Sequence, residues 1–183
     1  MGYDIAINKS WESLLALKPA ARLSVKLLAD EYDIDIVGRR VLSLSCNAPA
    51  KDYTAILLLH YLAQKIKGLP PISGEWLDFK ELSGVEGYQD AFRKRVIERI
   101  IRKYGSQPDS LYSVLERFPG KKSGQADVSI ILDVFEAVPA LIELWKADEE
   151  FSPEANLLFD RSITKIFCTE DIVVLAELIA NYV

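Results

Sequence analysis

The chain has 183 residues, half of them hydrophobic, and carries 22 basic against 27 acidic side chains for a net charge of −5. This length and apolar content allow one sizeable core and favour a single domain over residues 1–183. The acidic balance argues against general binding to nucleic acid, which needs a concentrated positive surface, so we expect no nucleic-acid partner.

The N-terminal region is predicted to be helical. Ser10 can cap a first helix in which apolar residues recur at helical spacing from Trp11 to Leu28, and Pro19 divides this helix into two pieces. Residues 1–30 are therefore predicted as a helical N-terminal arm. From Tyr32 the pattern changes, and β-branched segments on both sides of a Gly-Arg-Arg turn predict a β-hairpin.

The middle of the chain reads as helices around an irregular segment. Residues 52–68 form the most apolar helical pattern, with basic residues in its last turn and a glycine at its end. A short strand is predicted near Trp76, within a region rich in proline and glycine. A second helix is predicted from Tyr88 to Tyr104, followed by a shorter helical piece over residues 109–118.

The C-terminal part contains strand patterns and a last helix. Residues 119–125 are predicted as an exposed turn, and strands are predicted at 128–135 and 140–145. Thr169 is a suitable N-cap for the last helix, which has two acidic residues in its first turn. Helices and strands that do not alternate regularly predict an α+β fold, a single compact domain with several helices packed on a small, mainly antiparallel sheet.

Cysteine content and hydropathy predict a reduced, soluble, cytoplasmic protein. Cys46 and Cys168 are far apart and belong to no C-x-x-C pair, which argues against a disulfide framework or a cysteine-based metal site. The longest apolar run, near residues 55–59, is too short to span a membrane, so we expect no membrane association. The first ten residues lack the pattern of a signal peptide.

Acidic and aromatic residues alternate between Trp145 and Asp171, and this segment is predicted to form a shaped turn. Its carboxylates could bind a hard cation or support acid–base catalysis. The spacing matches no EF-hand loop, so a turn whose carboxylates accept backbone N–H bonds is the favoured interpretation. The carboxylates are Asp148, Glu149, Glu150, Glu154, Asp160, Glu170 and Asp171.

His60 is the only histidine, and it lies inside L-L-L-H-Y-L. It could ligate a haem or corrinoid or transfer a proton, but a structural histidine held by a hydrogen bond is favoured in so apolar a helix. Basic residues between Arg93 and Lys103 are interpreted as a solvated helix face in preference to an anion site. No glycine-rich phosphate loop is present.

Four sequence blocks resemble a prokaryotic family known as domain of unknown function 3786. They are L-L-L-H-Y-L, S-G-E-W-L-D-F-K-E-L, L-W-K-A-D-E-E-F-S-P-E-A-N-L-L-F-D and T-E-D-I, and they extend from about Leu57 to the end of the chain. The resemblance implies a setting in anaerobic redox or corrinoid-related metabolism. Some relatives resemble fusions to an iron–sulfur domain, but this chain has no such cysteine cluster, and no cofactor or metal is assigned.

Three functional hypotheses follow. The first is an accessory protein that holds a small ligand or a protein partner in an acid-aromatic cleft between the Trp76 region and residues 145–160. The second, which is the alternative to an accessory role, is a carboxylate-based enzyme, with or without a divalent cation, that acts on an anionic small molecule. The third is a structural protein whose acidic turn closes the core. The candidate ligand-binding residues are His60, Tyr61, Trp76, Arg95, Trp145, Asp148, Glu149, Glu150, Phe151, Asn156 and Asp160.

Overall fold

The computed structural model describes residues 3–183. In the first part of the chain, two helices pack together beside a four-stranded antiparallel sheet of order β1-β2-β3-β4. Trp11 and Leu14 of the first helix and Leu57 to Leu59 of the second are buried in the common core. The elements are α1 (Asp4–Leu15), β1 (Arg22–Leu27), β2 (Asp30–Asp35), β3 (Arg40–Ser43), β4 (Ala48–Pro49) and α2 (Asp52–Lys67).

The predicted hairpin and the helix at 52–68 are confirmed, but the second half of the predicted helical arm is wrong. The first helix ends at Leu15, and Arg22–Leu27 forms strand β1. In this strand Val25 and Leu27 are buried and alternate with exposed residues, which is the period of a strand. Pairing with β2 along its whole length, for example Val25 with Tyr32, supplies the hydrogen bonds that a helix would otherwise make internally.

The second part of the chain builds a five-stranded antiparallel sheet of order β5-β9-β8-β7-β6. One continuous helical segment, formed by α3, a π-helical turn at Arg93–Ile97 and α4, packs against β9 of this sheet. The C-terminal helix packs against this segment and against α2. Short 3₁₀ helices lie at Phe79–Glu81, Pro108–Glu116 and Arg161–Lys165. The main elements are β5 (Trp76–Leu77), α3 (Gln89–Phe92), α4 (Glu98–Tyr104), β6 (Gly120–Ser123), β7 (Val128–Phe135), β8 (Val138–Trp145), β9 (Glu154–Asp160) and α5 (Thr169–Tyr182).

Two turn predictions in this part are wrong. Gly120–Ser123 is the edge strand β6, because its backbone pairs with β7 from Leu132 to Ser129. Most of the acid-aromatic segment is also regular structure, since Glu154–Asp160 forms β9 and places Ala155, Leu157 and Phe159 in the core. The last helix begins at Thr169 as predicted, but the Thr169 hydroxyl donates to the Ser83 carbonyl at 3.0 Å and does not cap the helix.

The two faces of the five-stranded sheet differ. On one face alternate residues of β7, β8 and β9 belong to the main core, for example Ile130, Ile142 and Leu157. The intervening residues point to the opposite side of the sheet. We call this surface the second sheet face, and it is formed by Ile131, Leu141, Glu143, Trp145, Asn156 and Leu158. There Leu141 is fully buried and Glu143 is 7% exposed, whereas the other residues of this face are half-buried.

Together these elements form a single compact α+β domain, as the sequence predicts, with two antiparallel sheets in place of one. The end of β1 meets β7 through a hydrogen bond from the Leu28 amide to the Val134 carbonyl at 2.8 Å. Tyr61 of α2 stacks on Phe135 with a centroid distance of 4.4 Å. The two sheets therefore share one core.

Candidate functional site

A groove of about 1120 Å³ lies beside the exposed side of α5. Its walls come from the segment 71–85, the 3₁₀ helix Arg161–Lys165, the π-turn and α5 itself. Small-molecule sites commonly have volumes of several hundred to about 1,000 Å³, so the groove is large enough for such a ligand. We call it the α5 groove, and its characteristic lining residues are Leu82, Val85, Arg95, Ser162, Lys165 and Val174.

Asp160 fixes one wall of the groove. This residue is only 2% exposed, and its carboxylate accepts hydrogen bonds from the Ser73 amide (2.9 Å), the Ser73 hydroxyl (3.0 Å), the Gly74 amide (2.7 Å) and the Ser162 amide (2.9 Å). Burial alone would raise the pKa of Asp160, but the donors on Ser162, Ser73 and Gly74 outweigh it and lower the pKa to about 2. Asp160 therefore anchors a loop 86 residues away to the end of β9.

Further contacts hold the same wall. The Arg161 guanidinium bridges Glu75 at 2.9 Å and Glu81 at 3.2 Å. Asp78 and Glu81 form a capping box at the start of the 3₁₀ helix Phe79–Glu81. The groove is thus largely preformed by contacts within the protein, as is usual for ligand sites.

One buried hydroxyl in the groove wall lacks a partner. Ser162 is 4% exposed, and its Oγ is close enough to Asp160 to help lower the pKa of that residue, yet it forms no hydrogen bond with any group of residues 3–183. A buried polar atom without a partner costs about 1–3 kcal/mol. Such an atom in a cleft is a natural point of contact for a bound group.

The charged side chains in the groove are partly neutralised within the protein. Arg95 extends from the π-turn and pairs with Glu177 at 3.1 Å. Within the described chain Lys165 makes no ion pair, and Glu170 makes none either. Because most of the remaining lining is apolar, the groove suits a ligand with an apolar body and a polar end.

A chain of hydrogen bonds runs from the groove to α1. The Cys168 thiol, at the groove, donates to Asp171 Oδ2 at 3.3 Å, and the same oxygen lies 2.8 Å from His60 Nδ1. His60 Nε2 lies 2.8 Å from the Ser10 hydroxyl. One histidine therefore connects α1, α2 and α5.

The order Ser10–His60–Asp171 is that of a catalytic triad, but its surroundings differ from those of a nucleophile. Ser10 is 2% exposed inside a helix, and its hydroxyl donates to the Ala6 carbonyl at 2.9 Å. Burial raises the pKa of the Cys168 thiol to about 11, so this thiol is protonated at neutral pH. The geometry is that of a connection between helices, which matches the favoured structural interpretation of His60.

The carboxylates of residues 146–153 lie in an exposed loop away from the groove. Asp148 accepts hydrogen bonds from the Glu150 amide at 2.9 Å and the Phe151 amide at 2.7 Å. Glu149 and Glu150 are exposed, and Phe151 is 68% exposed. Asp148 thus stabilises the turn backbone.

The other candidates lie in separate places. Tyr61 is buried, and its hydroxyl donates to the Glu136 carbonyl at 3.0 Å. Trp76 pairs with Asp160 across the sheet, and Trp145 with Glu154. Asn156 donates to Glu143 at 3.4 Å on the second sheet face. Of the candidates only Arg95 lines the α5 groove directly, while Asp160 supports its wall.

Sequence reasoning missed Ser162 and Glu143. Glu143 carries a visible signal, because it is the one charged residue in the apolar run V-P-A-L-I-E-L-W. Ser162 carries none, since R-S-I-T-K gives no indication of burial. The burial of Ser162 depends on the packing of β9 and α5, the two elements on either side of its 3₁₀ helix.

Residues 3–183 contain no group of three or more histidine, cysteine, aspartate or glutamate side chains placed to hold a metal ion. None of the helices in this described part combines the length and hydropathy that a membrane crossing requires.

A model of a known protein family matches most of the chain. The family model described as Domain of unknown function (DUF3786) matches residues 10–182, which include Ser10, His60, Glu143, Ser162 and Asp171. No curated protein and no solved structure matches the chain.

Proposed function

Since the chain belongs to the DUF3786 family, we propose a function from the geometry of the α5 groove. The proposed function is that of a non-catalytic accessory protein that binds a small ligand. The observation that carries the proposal is a preformed groove whose wall contains the buried, unpartnered hydroxyl of Ser162. A setting in anaerobic redox or corrinoid-related metabolism is part of the proposal and is supported by the family resemblance.

The proposed ligand has an apolar body and a polar or anionic end. The apolar body would lie against Leu82, Val85 and Val174, all of which line the groove. The polar end would lie against Ser162 and Lys165, because these side chains offer a hydroxyl without a partner and an ammonium without an ion pair among the described residues. Ordered protein contacts already hold the walls, so little ordering cost would accompany binding.

Native mass spectrometry on protein purified without oxygen tests the proposal. Folded wild-type protein should carry extra mass that is lost on denaturation. Val174→Trp, which fills the groove, should abolish the extra mass. Val37→Trp is the matched control, because the same change at an 82% exposed position should leave it unchanged.

Ser162→Ala separates ligand binding from a structural role. Removal of the hydroxyl ends the cost of an unpartnered buried polar atom and also ends its favourable effect on Asp160. These two changes oppose each other, so the unfolding temperature of ligand-free protein should change little. It should reduce the ligand-induced rise in that temperature, which follows from binding to the folded state. A bare mass in the wild type, or equal bound mass in Val174→Trp, would contradict the proposal.

A further inference from the structure

A second cavity lies in the first part of the chain, beside α1, the start of α2 and the four-stranded sheet. Its volume is about 370 Å³, which is within the range of small-molecule sites, and it shares no lining residue with the α5 groove. We call it the hairpin cavity, because the hairpin of β2 and β3 supplies much of its lining. The lining includes Ile7, Trp11, Asp35, Arg39, Val41 and Ala55.

The inner wall of the hairpin cavity is apolar and already formed. Trp11, Val41 and Ala55 line it and are buried, because each also packs in the core. An apolar wall that core packing holds in place receives an apolar body with little ordering cost. The wall also offers a donor, since the indole N–H of Trp11 has no hydrogen-bond partner in residues 3–183 but is not sealed from solvent.

The rim of the hairpin cavity carries an arginine that the described residues do not neutralise. Asp33 pairs with Arg22 at 3.3 Å, and Asp35 pairs with Arg40 at 2.8 Å. Arg39 is exposed and takes part in no ion pair of residues 3–183. Because three arginines and two aspartates line the cavity, its rim has an excess of positive charge, although the chain as a whole is acidic.

We propose that the hairpin cavity binds a small organic anion with an apolar body. The body lies against Trp11 and Val41, and the carboxylate lies against Arg39. Charge selects an anion over a cation, because Asp33 and Asp35 already have partners and Arg39 has none among the described residues. An arginine fork also matches the planar shape of a carboxylate.

The test uses phenylacetate and its neutral analogue phenylacetamide, and it follows the three indole N–H signals of the intact protein by NMR. The variant Trp11→Phe identifies the signal of Trp11. Phenylacetate should shift this signal and leave the signals of Trp76 and Trp145 in place, because those two residues lie outside the cavity.

Two substitutions separate the charge of Arg39 from a general effect of cations. Arg39→Gln should weaken the binding of phenylacetate about threefold or more, as expected for loss of a partly exposed ion pair, and should not change the binding of phenylacetamide. Lys18→Gln is the matched control and should change neither. Lys18 is also an exposed cation, its φ of 51° is close to the 47° of Arg39, and it lies outside the cavity.

Three results would overturn the proposal. The first is an unchanged Trp11 signal at millimolar phenylacetate, with the rest of the spectrum showing folded protein. The second is equal binding of phenylacetate to wild type and Arg39→Gln, which would show that the anionic end makes no contact with Arg39. The third is a set of shifts confined to the backbone amides of Ser162 and Val174, which would place phenylacetate in the α5 groove. This inference is independent of the proposed function, because Val174→Trp should leave the shift of the Trp11 signal unchanged.

Discussion

Replacement of Asp160 by asparagine should destabilise the domain by about 2–4 kcal/mol at pH 7. The pKa of Asp160 is lowered from an ordinary 3.8 to about 2, and a difference of nearly two pKa units corresponds to about 2.4 kcal/mol. Asparagine keeps one acceptor oxygen but places an amide opposite either the Gly74 amide or the donors of Ser73 and Ser162. For a domain of this size the unfolding temperature should fall by about 5–15 °C.

The loss should depend on pH in a defined direction. Because the pKa of Asp160 is depressed in the folded state, its stabilisation is complete above the ordinary pKa of 3.8 and disappears as the pH falls through about 2. The difference in unfolding free energy between wild type and Asp160→Asn should therefore be constant from pH 7 to about 5 and should shrink between about pH 4 and 2.

Urea unfolding followed by circular dichroism at several pH values measures this difference. Asp148→Asn is the matched control, because Asp148 also accepts two backbone N–H bonds but lies in an exposed loop. It should cost less than about 1 kcal/mol. A cost for Asp160→Asn that is below 1 kcal/mol, or that does not change between pH 5 and pH 2.5, would refute the reasoning.

Three other substitutions give further expected outcomes, each measured by thermal or urea unfolding. Glu143→Gln should stabilise the protein at pH 7, because the raised pKa of Glu143 means that folded-state stability is lost as the carboxyl ionises. The gain in stability should disappear below the ordinary pKa of 4.5. A variant less stable than wild type at pH 7 would contradict this reasoning. His60→Ala should lower the free energy of unfolding by about 2–4 kcal/mol, because it leaves buried Asp171 and Ser10 without their shared hydrogen-bond partner. A loss below about 1 kcal/mol would show that His60 does not stabilise the contact between the helices. Phe151→Ala should change stability by less than about 0.5 kcal/mol, since the ring is 68% exposed, and a larger loss would show that it packs in solution.

The sequence predicted those elements whose signals are local. Helix α2 has a long apolar pattern that ends at Gly68, and the β2–β3 hairpin surrounds a glycine turn, so both could be located from neighbouring residues alone. Strand β1 was missed because Leu23, Leu27 and Leu28 also fit a helical period. Strand β9 was missed because E-A-N-L-L-F-D mixes apolar and polar residues on both faces, and only its neighbours β8 and β5 show which face is buried.

The candidate groove could be predicted only in part, because its contacts join distant segments. Arg95 was selected from the sequence and does line the groove, but Asp160 acts on Ser73 and Gly74, and no spacing rule relates residues so far apart. The burial of Ser162 depends on that same connection. Local patterns indicate which residues are polar, whereas long-range packing decides which of them become isolated from water.

The π-turn at Arg93–Ile97 sets the rotational register between the two halves of its helical segment. A π-turn closes around one residue more than an α-turn, and one residue advances a helix by about 100°. Arg93 meets Glu154 of β9, while Arg95, two positions later and about 200° further round the helix, meets Glu177 in the α5 groove. Loss of a single codon, for example that of exposed Lys94, would rotate one half of the helix against the other. Insertion or deletion of one residue at this point would therefore change which side chains of this helical segment line the α5 groove.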